Sequence, residues 1–317
     1  MDARTIATGI ASTRLERYRE AERALWFRYG LAPAERFVDV GRPPGRIRVL
    51  EVGLGDPVLF VHGLLGPDAW APLVRELRGF RCLVLDRPGW GFSSPIDYAG
   101  TSYGSLVADV LRGALDGLGV ERAHLVGGSG GTLWTLRFAA ADPSRVRSVT
   151  LIGAGPVHAD TPIPSWLRLM ASPLGALMVR RTSVKMLRSL LRSAGHGASL
   201  DDGRIADELI AWRLAASRET DAMPSERAML REALVSWPRG RWRKNVLFHD
   251  AELRTIAHRT LYIHSEADAA GPIALARRIV DLLPRAELHA VEGASHEPWL
   301  EEPAGIAERI AEFLRAA

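Results

Sequence analysis

Short, continuous apolar runs alternate with longer stretches of helical period along this chain, and that rhythm leaves few folds open. Residues 58–61, 82–85, 124–126 and 149–152 are four such runs. They are too short for helices and lack polar alternation, so they read as strands buried on both faces. Residues 69–77, 103–118 and 132–141 recur at helical spacing between them. Strand, helix, strand at this spacing requires crossover connections and a parallel sheet.

The rhythm breaks over residues 155–253 and then resumes. The break reads as helices at 166–170, 174–191, 204–217 and 225–235, with no strand predicted. Pro162, Pro164, Pro173, Gly195, Gly197, Pro224 and Pro238 punctuate them. Beyond it, 260–264 and 286–291 are strands, and 273–283 and 304–314 are helices. Ahead of the first buried strand, 36–40 and 46–52 alternate around Arg42-Pro43-Pro44-Gly45, a hairpin pattern. Earlier still, Thr13 and Glu16 form a capping-box pattern that opens a helix over 12–30. Its apolar face of Leu15, Tyr18, Leu25, Trp26 and Tyr29 needs burial, on the chain's own core or on a second copy in a homodimer. The predicted organisation is an N-terminal helical extension (1–34), an α/β core in two parts (35–154 and 254–317) and a helical cap (155–253) inserted after strand six.

Composition narrows the classes further. The chain has 317 residues, 47% hydrophobic and 25% charged, which excludes a disordered or fibrous protein. No run of about 18 apolar residues occurs, so no membrane span is expected. The first ten residues lack the pattern of a secretory signal. The single cysteine, Cys82, lies in a predicted strand and reads as an inert core residue. Together these favour the cytoplasm. The formal charge of +4 is concentrated in residues 155–250, which hold 15 Lys+Arg against 10 Asp+Glu. No acid falls between Asp160 and Asp201. A face of Arg180, Arg181, Lys185, Arg188 and Arg192 would fit an acidic carrier protein, or merely face solvent. No nucleic-acid motif surrounds it.

Gly127-Gly128-Ser129-Gly130-Gly131 matches G-x-S-x-G between a predicted strand and a predicted helix, the setting of a nucleophile elbow. A serine hydroxyl attacks only if a base takes its proton, and the base needs an acid to orient it. Those partners must emerge at the carboxyl ends of other strands. Asp268 follows the strand 260–264 and His296 follows the last strand. Ser129, Asp268, His296 is thus the predicted triad in chain order. The developing oxyanion needs two N–H donors. Gly130 supplies one, and Leu64, in the loop His62-Gly63-Leu64-Leu65-Gly66, the other.

Four segments together resemble a capped serine hydrolase of the α/β-hydrolase superfamily: His62-Gly63, residues 85–93, the elbow at Ser129, and the Asp268/His296 pair. The resemblance covers residue 35 to the end outside the cap. It implies an α/β-hydrolase fold with a mostly parallel eight-stranded sheet, no cofactor, no metal, and a cap that roofs the pocket. Serine at the elbow argues against the haloalkane dehalogenases and epoxide hydrolases, which place aspartate there. Ser265 stands where the family usually has glycine before the acid. Some relatives carry the acid after strand six, which would select Asp160. His62 resembles the family's structural histidine, and Asp86 is expected to organise its loop.

The predicted activity is hydrolysis of an ester, lactone or thioester of a fairly apolar acyl group. Leu65, Trp90, Trp166, Met170, Trp212 and Trp299 are candidate substrate contacts. The same triad also serves carbon–carbon bond hydrolysis of the meta-cleavage type, where cap arginines would meet a substrate carboxylate. A biosynthetic thioesterase or acyltransferase and a non-catalytic ligand receptor complete the alternatives.

Overall fold

The computed structural model describes residues 3–316 except 42, 43, 101, 237, 239 and 294, and omits the side chains of 3–12, 178, 180 and 236. Eight strands form the main sheet: β1 (Ala34–Gly41), β2 (Pro44–Val52), β3 (Asp56–Val61), β4 (Phe80–Leu85), β5 (Ala123–Gly128), β6 (Val146–Ile152), β9 (Thr260–Ser265) and β10 (Ala286–Val291). Their order is β1-β2-β4-β3-β5-β6-β9-β10. The first two strands are antiparallel to their neighbours and the rest run parallel. This is the expected α/β-hydrolase sheet. The hairpin turn at Arg42-Pro43 lies outside the described residues.

The register brings the carboxyl ends together. Val61 pairs with Leu85 on one side and Gly127 on the other, Gly128 with Ile152, Ile152 with Ile263, and Val291 with Ser265. Chain order reverses around β3, so the loops after β3 and β5 diverge there and leave a crevice. The helices Tyr103–Gly117, Gly130–Ala141 and Ile273–Leu282 bury apolar stripes against the sheet.

The cap spans the connection from β6 to β9 and differs from expectation in two places. The predicted helix 174–191 is two helices, Pro173–Arg180 and Val184–Leu191. Ser183, in extended backbone, caps the second, accepting from Met186 N–H at 3.3 Å. The predicted helix 225–235 stops at Ala233, and Leu234–Ser236 (β7) pairs with Arg241–Trp242 (β8). The short cap hairpin has too few residues for a readable alternation. A kink at Arg192–His196, with Gly195 at φ 92°, turns the chain above the site.

The N-terminal helix runs from Ala3 to Arg28. Thr13 is therefore inside it, and the capping-box start at Thr13 is corrected. Its predicted face packs on the chain's own core: Tyr18, Leu25 and Trp26 are buried. Glu22 meets the fully buried Arg48 of β2, which also donates to Asp86 at 2.6 Å. Trp26 Nε1 and Tyr18 OH both donate to buried Asp68. The helix also reaches the cap. Trp212 Nε1 donates to Tyr18 OH at 3.4 Å, and Arg17 pairs with Glu219 at 2.9 Å. No described helix is long and apolar enough to cross a membrane.

Candidate active site

Ser129 sits between β5 and the helix Gly130–Ala141 with φ 51° and ψ −120°. Such a conformation in a non-glycine residue costs about 1–3 kcal/mol and persists only where its surroundings enforce it. Here the Ser129 N–H donates to the Ile152 carbonyl at 2.9 Å, and its carbonyl accepts from Thr132 N–H and Oγ1 at 3.0 and 2.6 Å. Two glycines near it are required by close approach. A Cβ on Gly131 would stand 2.0 Å from the Val61 carbonyl oxygen, and one on Gly63 would stand 2.7 Å from Ser129 Cβ.

His296 Nε2 lies 2.9 Å from Ser129 Oγ, and its Nδ1 lies 2.9 Å from both carboxylate oxygens of Asp268. Asp268 is held in turn by the N–H groups of Ala154 (2.8 Å) and Ala270 (2.7 Å). Burial works against its charge, but these bonds and the His296 charge hold its carboxyl below the ordinary value. Asp160 is exposed and pairs with Arg278 instead, at 2.9 Å. Ser265 bridges the loops of the acid and the histidine: its Oγ donates to the Ser295 carbonyl at 2.6 Å. Burial alone would depress His296. Glu297, followed by the hydrogen bond and charge of Asp268, overrides it and raises His296 to about 9.

Leu64 and Gly130 line the same cavity as Ser129. The loop carrying Leu64 is fixed from two directions. His62 Nδ1–H donates to the Gly63 carbonyl at 2.7 Å, while His62 Nε2 accepts the Arg87 N–H at 3.1 Å. Burial, and then the nearby Arg87 charge, push His62 well below its ordinary value, so its ring is neutral. Asp86 accepts from the Phe92 N–H at 3.3 Å as well as from Arg48, and so ties the next loop. The second fixing group is Arg213, whose Nη2 donates to the Leu64 carbonyl.

A cavity of about 470 Å³ opens between this constellation and the cap. Leu65, Trp166 and Met170 line it as predicted. Trp90, Trp212 and Trp299 do not, and that expectation is corrected. Each is buried in packing and spends its indole N–H there: Trp90 on Glu226 (2.7 Å), Trp212 on Tyr18, and Trp299 on the Ala69 carbonyl (2.8 Å). Trp299 also stacks on Trp70 at 4.2 Å.

Among the polar residues on the cavity wall that escaped the sequence reading are Arg213 and Glu297. Arg213 is buried, yet its Nε and Nη1 have no hydrogen-bond partner among the described residues. Burial lowers its pKa to about 10 against the pull of Glu226 and Glu297, and it remains a cation at neutral pH. Glu297 is also buried, 3.6 Å from His296 Nε2. Arg213 was legible in principle: Leu209, Ile210, Trp212, Arg213, Ala216 and Ser217 form one buried stripe, and an arginine within an apolar stripe is a signal. Of the predicted basic docking face, Arg188 pairs with Asp207 and Arg192 with Asp201. Arg181 and Lys185 are exposed, and the Arg180 side chain lies outside the described residues.

A family profile described as alpha/beta hydrolase fold matches residues 56–303. The chain belongs to the α/β-hydrolase family. It is a hydrolase, as its relatives are. A 2-hydroxy-6-oxo-2,4-heptadienoate hydrolase of Pseudomonas putida is 31% identical over 84% of this chain and 91% of its own length. A 2-hydroxymuconate semialdehyde hydrolase of a Pseudomonas species is 30% identical over 86% and 91%. Among solved structures, a meta-cleavage product hydrolase from Pseudomonas fluorescens matches with a TM-score of 0.71 at 26% identity, over 89% of this chain and 97% of that one.

Proposed function

We propose that this hydrolase cleaves a carbon–carbon bond in an acidic dienoic ketone of the 2-hydroxy-6-oxo-dienoate class. The observation that carries the reading is Arg213, a buried cation on the cavity wall whose Nε and Nη1 have no hydrogen-bond partner among the described residues. Unpaired buried donors are costly, and a ligand carboxylate is the group that best offsets them. The names of the relatives support the same class. The expected ester, lactone or thioester chemistry uses the same serine but gives Arg213 nothing to hold.

In this reading Arg213 receives the substrate carboxylate, and the ketone at the far end of the substrate reaches Ser129. Ser129 Oγ bonds to the ketone carbon as its proton passes to His296 Nε2. Asp268 steadies the imidazolium, and the Leu64 and Gly130 N–H groups hold the oxyanion. Collapse breaks the bond between the carbonyl carbon and its neighbouring chain carbon. That neighbouring carbon first gains a proton as the 2-hydroxyl loses its own, so the bond breaks in the 2-oxo, 3-ene tautomer. The released electron pair then delocalises through the ene to the 2-oxo group beside Arg213, and His296 returns the proton to the leaving dienolate. Water, deprotonated by His296, then frees the acyl group as an acid. The apolar cavity, with Leu65, Trp166 and Met170, keeps bulk water away.

The test follows the chromophore of 2-hydroxy-6-oxo-2,4-heptadienoate with purified chain. The expected result is bleaching, with acetate as one product, and a loss of about 10⁴-fold or more in Ser129→Ala. Unchanged dienoate beside rapid turnover of neutral p-nitrophenyl esters would return the ester reading to first place.

A further inference from the structure

Glu297 occupies a place the triad does not explain. It follows His296 directly and is buried, yet it lines the substrate cavity. Its two oxygens face different ways. Oε2 lies 2.8 Å from His196 Nε2, in the cap's kinked turn, and Oε1 lies 3.6 Å from His296 Nε2, the nitrogen that also meets Ser129. His196 is itself anchored: its Nδ1 lies 2.7 Å from Ser295 Oγ and 3.1 Å from Glu301 Oε1, and Ser199 Oγ donates to Glu301 at 2.8 Å. The cap turn is closed over the same loop by the His296 N–H, which donates to the Ala194 carbonyl at 3.2 Å.

We propose that Glu297, held in place by His196 of the cap, is a positioning residue that stabilises the His296 imidazolium from the substrate side. The proposal rests on the reading of Ser129 as nucleophile and His296 as its base. His296 then lies between two carboxylates, Asp268 at Nδ1 and Glu297 near Nε2. Protonating the imidazole as Ser129 attacks places a positive charge between two negative ones. A buried carboxylate about 4 Å from a developing cation acts through little screening. Burial of Glu297 opposes its charge, but His296 and then the His196 hydrogen bond keep its carboxyl below the ordinary value, so it is an anion over the working range.

The other charged and titratable groups facing this pair are His264, His196, Glu301 and Arg213. His264 Nε2 lies 3.8 Å from Asp268 Oδ2. Burial lowers its pKa, which leaves it neutral and adds no competing charge. Burial opposes the His196 charge, but its hydrogen bonds to Glu297 and Glu301 raise its pKa. Arg213 acts on Glu297 from the cap helix Asp207–Glu219. The same anion that favours the imidazolium in the transition state also holds a proton on His296 in the resting chain. Glu297 therefore trades a stronger base for a higher pH at which that base becomes free.

The test is the pH dependence of fluorophosphonate labelling at Ser129, which needs neutral His296 and no particular substrate. In the wild type, labelling rises with pH through an alkaline midpoint. In Glu297→Gln the midpoint moves down by about one pH unit or more, and the high-pH plateau falls several-fold. Glu297→Asp, which keeps the charge, stays nearer the wild type. An unmoved midpoint in Glu297→Gln, whatever its overall rate, overturns the proposal, because a merely structural role changes the rate alone. If Glu297→Gln does not fold, the His296 imidazole resonance is titrated in Asp268→Asn. A midpoint above about 6.5 there supports Glu297, and one at or below it overturns the proposal, since burial alone lowers it. A wild-type chain that takes no label at any pH would instead sink the reading of Ser129.

Discussion

Arg48 and Arg213 are both withdrawn from solvent, and their surroundings treat them in opposite ways. All three guanidinium nitrogens of Arg48 are engaged: Nε by Asp86, Nη1 by Glu22 and Glu35, and Nη2 by Glu22 and Tyr18. Burial works against its charge, yet Asp86 and Glu22 hold its pKa well above the ordinary value. Arg213 lies 4.9 Å over the Trp90 ring and has one hydrogen bond, to the Leu64 carbonyl, while two of its nitrogens have no hydrogen-bond partner among the described residues. A buried cation whose bonds are complete is a joint between elements, here the N-terminal helix, β2 and the loop after β4. A buried cation on a cavity wall, with bonds left incomplete among the described residues, is the group that the carboxylate of the proposed substrate would meet.

The largest effect that would break this contrast is on folding. Arg48→Met leaves Glu22 and Asp86 without their counter-charge and Glu35 with Arg19 alone. Removing one partner from a buried ionic cluster costs about 3–5 kcal/mol. The urea midpoint should fall accordingly, with the N-terminal helix exchanging its amide protons early. A midpoint within about 0.5 kcal/mol of wild type would mean that the cluster is not what docks the helix.

Arg213→Gln should reverse the pattern. Glutamine keeps a donor for the Leu64 carbonyl and removes the unpaired charge, so the urea midpoint should hold or rise. Turnover of a carboxylate substrate should fall by about 2–5 kcal/mol in kcat/KM, the loss typical of truncating one side of a buried charged contact. Turnover of a neutral p-nitrophenyl ester should suffer at least tenfold less. Equal losses on both substrates would make Arg213 a brace for the Leu64 loop and remove its role in carboxylate recognition.

The difference between the two arginines also marks where the sequence was readable. The buried strands followed from short apolar runs, because strands buried on both faces must be continuous in hydrophobicity. Ser129, Asp268 and His296 were visible because each sits in a local pattern at a strand's end. Arg213 shows only as an arginine within an apolar stripe, and Glu297 has no local pattern. Their meaning lies in what the fold leaves unpaired around Arg213, and in the 3.6 Å from Glu297 to His296. The tryptophans misled for a related reason. An aromatic near a motif is as readily packed behind the site as in it, and only the partner of its N–H tells which. Trp90 and Trp212 spend theirs on Glu226 and Tyr18, contacts across 136 and 194 residues of chain that no spacing rule reaches.

Trp166 extends the comparison to an apolar side chain, with the smallest expected effect. Trp212 is fully buried and hydrogen-bonded, a joint like Arg48, whereas Trp166 is 49% exposed while lining the cavity, open like Arg213. A half-exposed aromatic contributes little to the folded state, because much of its surface already meets water. Trp166→Ala should therefore leave the urea midpoint within about 0.5 kcal/mol of wild type. Its loss should appear in KM for substrates with a bulky apolar group beside the ketone. Removing one wall of an apolar pocket costs about 1–3 kcal/mol for a substrate that fills it. The shorter methyl ketone does not fill that wall and should be turned over with a KM changed less. A KM raised equally for both ketones would place Trp166 near the carboxylate end, beside Arg213. A stability loss of several kcal/mol would instead make it a packing residue of the cap like Trp212.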